Sequence, residues 1–73
     1  MASIPKHRRI LGESIRSYRR QAGFSQEKLA EKAELNPKYI GEVECGYVNI
    51  SVDSLMRIAK ALKIPFNDLT KGI

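Results

Sequence analysis

Apolar residues in the first third of the chain recur at the spacing of one helix face. They stand three or four positions apart, as one side of an α-helix requires: Leu11, Ile15, Tyr18 and Ala22. Gly23 follows as the residue that ends this helix, since glycine is the usual helix stop. The pattern predicts a first amphipathic helix that closes at Gly23.

Two short helices follow, each introduced by a residue that caps helices well. Ser25 precedes a segment with three small or apolar residues on one face, Leu29, Ala30 and Ala33. Asn36-Pro37 is a stronger start signal, because asparagine caps well and proline at the first helical position loses no needed hydrogen bond. The third helix then runs to Cys45, where Gly46 supplies a left-handed stop.

The last third of the chain predicts one longer helix and one short one. Ser51 is the cap of the longer helix, whose buried stripe is Leu55, Ile58, Ala59 and Leu62. Pro65 opens the short helix, which ends before Gly72. No segment shows the period-two alternation of a strand. The fold class predicted is all-α with five helices.

Length and composition predict one domain inside the cell. The chain has 73 residues, which suffices for a single small core. A lone cysteine, Cys45, allows no internal disulfide and favours a reducing, cytoplasmic location. No apolar run is long enough to span a membrane, and the amino terminus lacks the apolar stretch of a signal peptide. We expect a flexible basic arm over residues 1–9 and a domain over residues 10–71.

Charge is distributed unevenly around a net value of +5. Residues 1–24 have a net charge of +5, residues 25–50 of −2 and residues 51–73 of +2. A basic surface favours a polyanion, because binding releases condensed counterions. Charge alone leaves nucleic-acid binding and simple solubility equally open.

Catalysis and cofactor chemistry find little support in the residues. His7 is the single histidine, so neither a Ser/His/Asp set nor a closed zinc site with Cys45 can be assembled. No glycine loop of the phosphate-binding kind follows a strand. We expect no enzyme activity, no cofactor, no metal and no small-molecule ligand.

Residues 26–45 have the spacing of a helix-turn-helix unit. Such a unit needs a small residue where its two helices touch, and Ala30 stands there as the fifth of the twenty. The other apolar positions that the unit needs are all filled: Leu29, Ala33, Leu35, Ile40 and Val43. Only the turn departs, since Glu34 replaces the usual glycine and a left-handed backbone there costs roughly 1–2 kcal/mol.

From Leu11 to Leu69 the chain resembles the phage-repressor/Cro family, also called the XRE family. The resemblance is carried by the runs IRSYRR and SQEKLA, the YIxxVExG ending of the third helix and the LxxIAKAL of the fourth. It implies a compact five-helix lambda-repressor-like domain that binds double-stranded DNA. The recognition helix, residues 36–45, would then lie in the major groove.

The resemblance implies base contacts from the recognition helix. Lys38 can donate to guanine, and Glu42 can accept from a cytosine amino group. The two are four residues apart, so they could instead pair with each other. Pro37 would contact a thymine methyl group or simply start the helix.

Phosphate contacts are implied at several further positions. Gln26 resembles the family glutamine that touches a phosphate and braces the recognition helix. The other candidates are Asn36, Tyr39, Tyr47 and Asn49, of which Asn36 would also cap its helix. The ring of Tyr39 could instead be half-buried against the domain.

Arg19 and Glu44 resemble a family pair that joins the first helix to the end of the third. Their expected role is structural, to orient the recognition helix. If the pair is buried, removal of one partner is expected to cost about 3–5 kcal/mol.

Two questions of partners remain open in the sequence. A helix-turn-helix module can also act as an adaptor that binds protein without direct DNA binding, and the acidic second and third helices keep that alternative open. A homodimer is expected for a DNA-binding regulator, because two-fold operators are read by two recognition helices. The C-terminal helix would supply the contact through Phe66, Leu69 or Ile73.

Overall fold

Five helices make up the architecture in a computed structural model, which describes residues 3–73. In order they are α1 (Lys6–Gln21), α2 (Gln26–Ala33), α3 (Pro37–Glu44), α4 (Val52–Leu62) and α5 (Phe66–Leu69). Residues 3–73 contain no strand. The predicted all-α class with five helices is confirmed. None of the helices over these residues is long and apolar enough to cross a membrane.

Side-chain caps begin the three middle helices where the sequence predicts them. The Ser25 hydroxyl accepts from the backbone N–H of Lys28 at 3.0 Å. The Asn36 side chain accepts from the N–H of Lys38 at 2.8 Å. Ser51 does the same for α4. Each cap satisfies a donor that the first helical turn would otherwise leave unpaired.

Residues in the left-handed backbone conformation follow the helices, and two of these residues are not glycine. Gly23 and Gly46 have φ of 76° and 79°, as the sequence predicts. Glu34 also adopts the left-handed conformation, with φ 58°, at the turn between α2 and α3. Lys63 has φ 57° after α4, which the sequence does not signal. Both positions carry the steric penalty of a Cβ in that region.

The first helix begins earlier than expected. Lys6 is its first residue, so the basic residues 6–9 are helical and the predicted flexible arm is wrong for them. Pro5 has φ −55°, close to the helical value, and its carbonyl accepts from the N–H groups of Arg8 and Arg9. In the rest of that arm, residues 3–5 precede the helix, and residues 1 and 2 lie outside the described residues.

The core lies where α2 packs against α3 and α4, and where α1 crosses α3. Its largest fully buried side chains are Ile15, Leu29, Ile40, Ile58 and Leu69. Leu69 is therefore a core residue, and its prediction as a dimer contact is wrong. Its carbonyl accepts a hydrogen bond from the Ser14 hydroxyl at 2.8 Å, which links α5 to α1.

Gly12 allows α1 to approach the end of α3 at backbone distance. A Cβ added to Gly12 would lie 2.5 Å from the carbonyl oxygens of both Val43 and Glu44. Those atoms belong to a helix backbone and cannot rotate away. The crossing of α1 and α3 thus requires the absence of a side chain at this position.

We expect Gly12→Ala to destabilise the domain by about 1–3 kcal/mol through overpacking, although alanine normally favours a helix over glycine. Gly41→Ala is the matched control, because its Cβ would meet only the flexible Gln26 side chain, at 3.5 Å. Urea unfolding should show a lower free energy of unfolding for Gly12→Ala and an unchanged or higher one for Gly41→Ala. A Gly12→Ala domain as stable as the wild type would contradict the close approach.

Candidate nucleic-acid interface

The third helix presents one face to the core and another to solvent. Ile40 and Val43 are fully or almost fully buried, at 0% and 2% exposure. Asn36, Pro37 and Lys38 at the start of the helix are exposed. The amino-terminal half of α3 therefore projects from the domain, as a recognition helix must in order to enter the major groove.

Lys38 and Glu42 do not form an ion pair with each other. The salt bridges among residues 3–73 do not include either side chain. Lys38 is exposed and Glu42 is half-buried. Their polar ends are consequently available to a partner outside the domain.

The predicted phosphate contacts differ in their exposure. Tyr39 is half-buried, and its ring packs against the core, as one of its two interpretations expects. Tyr47 and Asn49 lie in the loop after α3, and Tyr47 is 67% exposed. The loop side chains are thus freer than Tyr39 to meet a ligand.

Arg19 and Glu44 form the buried ion pair that joins α1 to α3. Arg19 Nε donates to Glu44 Oε2 at 2.6 Å, and Arg19 Nη2 donates to Oε1 at 3.1 Å. The residues are only 8% and 3% exposed. Arg19 Nη1 donates to the carbonyl of Phe24 at 2.8 Å, which ties the α1–α2 turn to the same guanidinium. The geometry is the bidentate one that arginine and carboxylate favour.

Two further donors converge on the same carboxylate. Gln26 Nε2 donates to Glu44 Oε1 at 3.2 Å, from the first turn of α2. Arg16 Nε donates to that oxygen at 3.4 Å. The bracing role expected of Gln26 thus has a specific contact. Sequence reasoning missed Arg16, although it stands one turn before Arg19 and so shares its helix face.

Opposing effects set the protonation of this cluster. Burial raises the pKa of the Glu44 carboxyl, but the hydrogen bonds from Arg19, Gln26 and Arg16 and the charge of Arg19 outweigh it. The pKa of Glu44 is consequently below its ordinary value. The hydrogen bond to Glu44 in turn raises the pKa of Arg19. Both groups are charged in the folded domain.

Over residues 3–73, no group of three or more His, Cys, Asp and Glu side chains could hold a metal ion. Cys45 is a free, exposed thiol at the end of α3.

Comparison with known proteins connects this arrangement to regulators. The helix-turn-helix family HTH_3 matches residues 15–69. Control protein C.SmaI of Serratia marcescens is 47% identical over 53 residues, which span 73% of this chain and 63% of that protein. The chain therefore matches less than two thirds of C.SmaI. Control protein C.BamHI of Bacillus amyloliquefaciens is 38% identical over 63 residues, 85% of this chain and 78% of that protein.

A solved structure shows the same likeness in three dimensions. The restriction-modification controller protein C.AhdI from Aeromonas hydrophila superposes with a TM-score of 0.84 at 35% identity. The match covers 85% of this chain and 94% of that chain. The shared fold thus includes the helix-turn-helix unit together with the helices that support it.

The lowered pKa of Glu44 predicts how stability depends on pH. Ionised Glu44 contributes fully to the stability of the fold above its unfolded pKa of about 4.3. This contribution is lost as the pH falls through the lower pKa of the folded state. Glu44→Gln should cost about 3–5 kcal/mol at neutral pH, because Arg19 stays buried without a charge partner. The difference between wild type and variant should shrink below about pH 4.3.

Urea unfolding between pH 7 and pH 3 measures this difference. Glu31→Gln is the control, since Glu31 pairs with Lys28 at the surface and its loss should cost under about 1 kcal/mol. The carboxyl chemical shift of Glu44 in the wild type reports its pKa even if Glu44→Gln does not fold. A Glu44 pKa at or above the ordinary value would contradict the prediction.

Proposed function

We propose that this chain, which belongs to the helix-turn-helix family HTH_3, is a DNA-binding transcriptional regulator and a controller protein of the restriction–modification type. The relatives named as control proteins and the structural likeness to a restriction-modification controller support this class. One observation carries the mechanism. The exposed start of α3 is held at a fixed angle by a buried ion pair behind it.

The outward face of α3 contacts the bases. Lys38, exposed and without an ion-pair partner among residues 3–73, donates to guanine O6 or N7 in the major groove. Glu42 lies one turn further in and accepts from a cytosine amino group. Pro37 offers an apolar surface to a thymine methyl group. The three side chains together read a few base pairs on each half-site.

Phosphate contacts flank that readout on both sides. Gln26 uses one amide hydrogen on Glu44, which leaves the other hydrogen and its backbone N–H at the start of α2 for a phosphate. Asn36 and Tyr39 contact the backbone at the start of α3, and Tyr47 and Asn49 from the loop after it. Such contacts set the register of the protein on the duplex without specifying sequence.

A mobility-shift titration against duplexes selected from a random pool tests this function. The wild type should bind with log affinity falling by about 0.9 per released counterion for each tenfold rise in salt. Lys38→Ala should cost about 1–3 kcal/mol on the selected sequence and little on other sequences. Lys60→Ala removes the same charge from the end of α4 and should leave discrimination unchanged.

The protein-binding adaptor gives the opposite result. A chain that binds none of the selected or genomic fragments, or binds them without salt dependence, is an adaptor and not a regulator of this kind. Equal losses in Lys38→Ala and Lys60→Ala would leave DNA binding intact but remove Lys38 from base readout.

The regulator acts as a homodimer in this proposal, because two recognition helices match a two-fold operator. Ile73 is 55% exposed and Phe66 is partly exposed, whereas Leu69 is unavailable in the core. Val52 and Met56 add an exposed apolar pair one turn apart on α4, the helix that packs against α5. We place the contact on these apolar side chains of α4, of α5 and of the residues that follow α5.

Sedimentation at micromolar concentration should show a dimer for the wild type. Met56→Glu and Ile73→Glu should each move the population towards monomer, because a buried charge at an apolar contact is costly. Gln21→Glu adds the same charge at the exposed end of α1 and should leave the dimer unchanged. A wild-type monomer at these concentrations would contradict the proposal.

A further inference from the structure

A row of arginines lies along α1. Arg9, Arg16 and Arg20 are seven and four residues apart, and these intervals equal about two turns and one turn of an α-helix. They therefore lie along one side of α1. We call these three residues the arginine row.

Arg16 shows which way the row faces. Its Nε and the Gln26 Nε2 donate to the same oxygen of Glu44, at 3.4 Å and 3.2 Å, so the two side chains are neighbours. Gln26 lies at the start of α2, at the edge of the proposed DNA contact surface. The row therefore reaches that edge at Arg16, and Arg9 and Arg20 extend it along α1 in the two directions.

The guanidinium of Arg16 is held by one hydrogen bond, and it keeps further donors for a ligand. Its side chain is 38% exposed, and within residues 3–73 its two terminal nitrogens have no hydrogen-bond partner. An arginine held by Nε presents a planar pair of donors, the geometry that suits a phosphate. The anchor also reduces the side-chain entropy that binding would otherwise remove.

The rest of the row is free for an anion. Arg9 and Arg20 are exposed, and neither forms a salt bridge in the described part of the chain. Arg16 and Arg20 line a shallow groove with two neutral polar residues, Ser17 and Gln21, and one carboxylate, Glu13. The groove keeps a net positive charge. From Arg9 to Arg20 the row is about 16 Å long at 1.5 Å per residue, enough to follow several phosphates of one strand.

We propose that the arginine row binds the phosphate backbone of the operator outside the base pairs that α3 reads. This inference rests on the proposed function and enlarges its contact surface. It also gives the uneven charge of the chain a role in DNA binding. The helix-turn-helix segment is acidic, whereas residues 1–24 have a net charge of +5. The contacts raise affinity for every duplex and add no sequence preference.

The test is the salt dependence of binding for a double variant, Arg9→Gln with Arg20→Gln. Neither residue touches Glu44, so the fold is expected to keep its melting temperature. The slope of log affinity against log salt should fall by about 0.9 for each phosphate that the variant no longer neutralises, thus by nearly two. Affinity should drop by the same factor on selected and unrelated duplexes. Glu13→Gln should act in reverse and raise affinity for both.

Charge-matched controls line a separate groove of the domain. Lys60 and Lys63 line a groove between the ends of α2 and α4, and their double glutamine variant should keep the wild-type slope. An unchanged slope in the Arg9/Arg20 variant, or an equal fall in the Lys60/Lys63 variant, would overturn the proposal while DNA binding stands. A wild type that binds no duplex would instead defeat the proposed function itself.

Arg16→Gln completes the series with a readout that separates its two roles. A lower salt slope with weaker binding to all duplexes marks a phosphate contact. A lower melting temperature with the wild-type slope marks a residue that only supports Glu44, and this result would remove Arg16 from the row.

Discussion

The carboxylate of Glu44 is the point on which the arrangement of this domain depends. Taking a carboxylate out of water is costly, and a buried ion pair stabilises a fold only where geometry and further hydrogen bonds repay that cost. Here Arg19 binds both oxygens, and Gln26 and Arg16 add donors to one of them. The group is therefore almost fully buried and still charged.

The position of this carboxylate allows it to link α3 to two other helices. Glu44 is the last residue of α3, while its donors come from α1 and from the first turn of α2. The guanidinium of Arg19 also holds the turn that joins α1 to α2 through the Phe24 carbonyl. A single buried group thereby fixes the angle of α3 against both neighbouring helices. Apolar contacts at Ile40 and Val43 hold α3 against the core, but they are less directional than a bidentate ion pair.

Local chemistry explains which parts of this structure could be predicted from sequence. Caps at Ser25, Asn36 and Ser51 act within three residues, and the apolar spacing reports the face that each helix buries. The features that could not be predicted depend on residues distant in sequence. Gly12 is an ordinary helical glycine until α3 crosses it, and the carbonyls that it meets are more than thirty residues away. From the sequence alone, Leu69 could be taken for an exposed apolar residue. The sequence does not show which apolar residues of a short terminal helix are buried in the core.

The start of α1 illustrates how packing changes the meaning of a charged segment. A basic stretch at a terminus is normally a frayed, solvated arm, and that general behaviour is the basis for expecting one over residues 1–9. Yet a Cβ on Gly46 would come within 2.9 Å of the Ile4 side chain, so the chain before α1 packs against the residues that follow α3. Once the backbone is helical and docked, the arginines of α1 extend from fixed backbone positions. Cations on a fixed backbone lose less entropy on binding a phosphate than cations on a flexible arm do. Their spacing favours a DNA strand that runs along the helix. In the proposed complex, the short acidic helix-turn-helix unit reads bases with few side chains, because the arginine row on the helix packed behind it supplies further phosphate contacts.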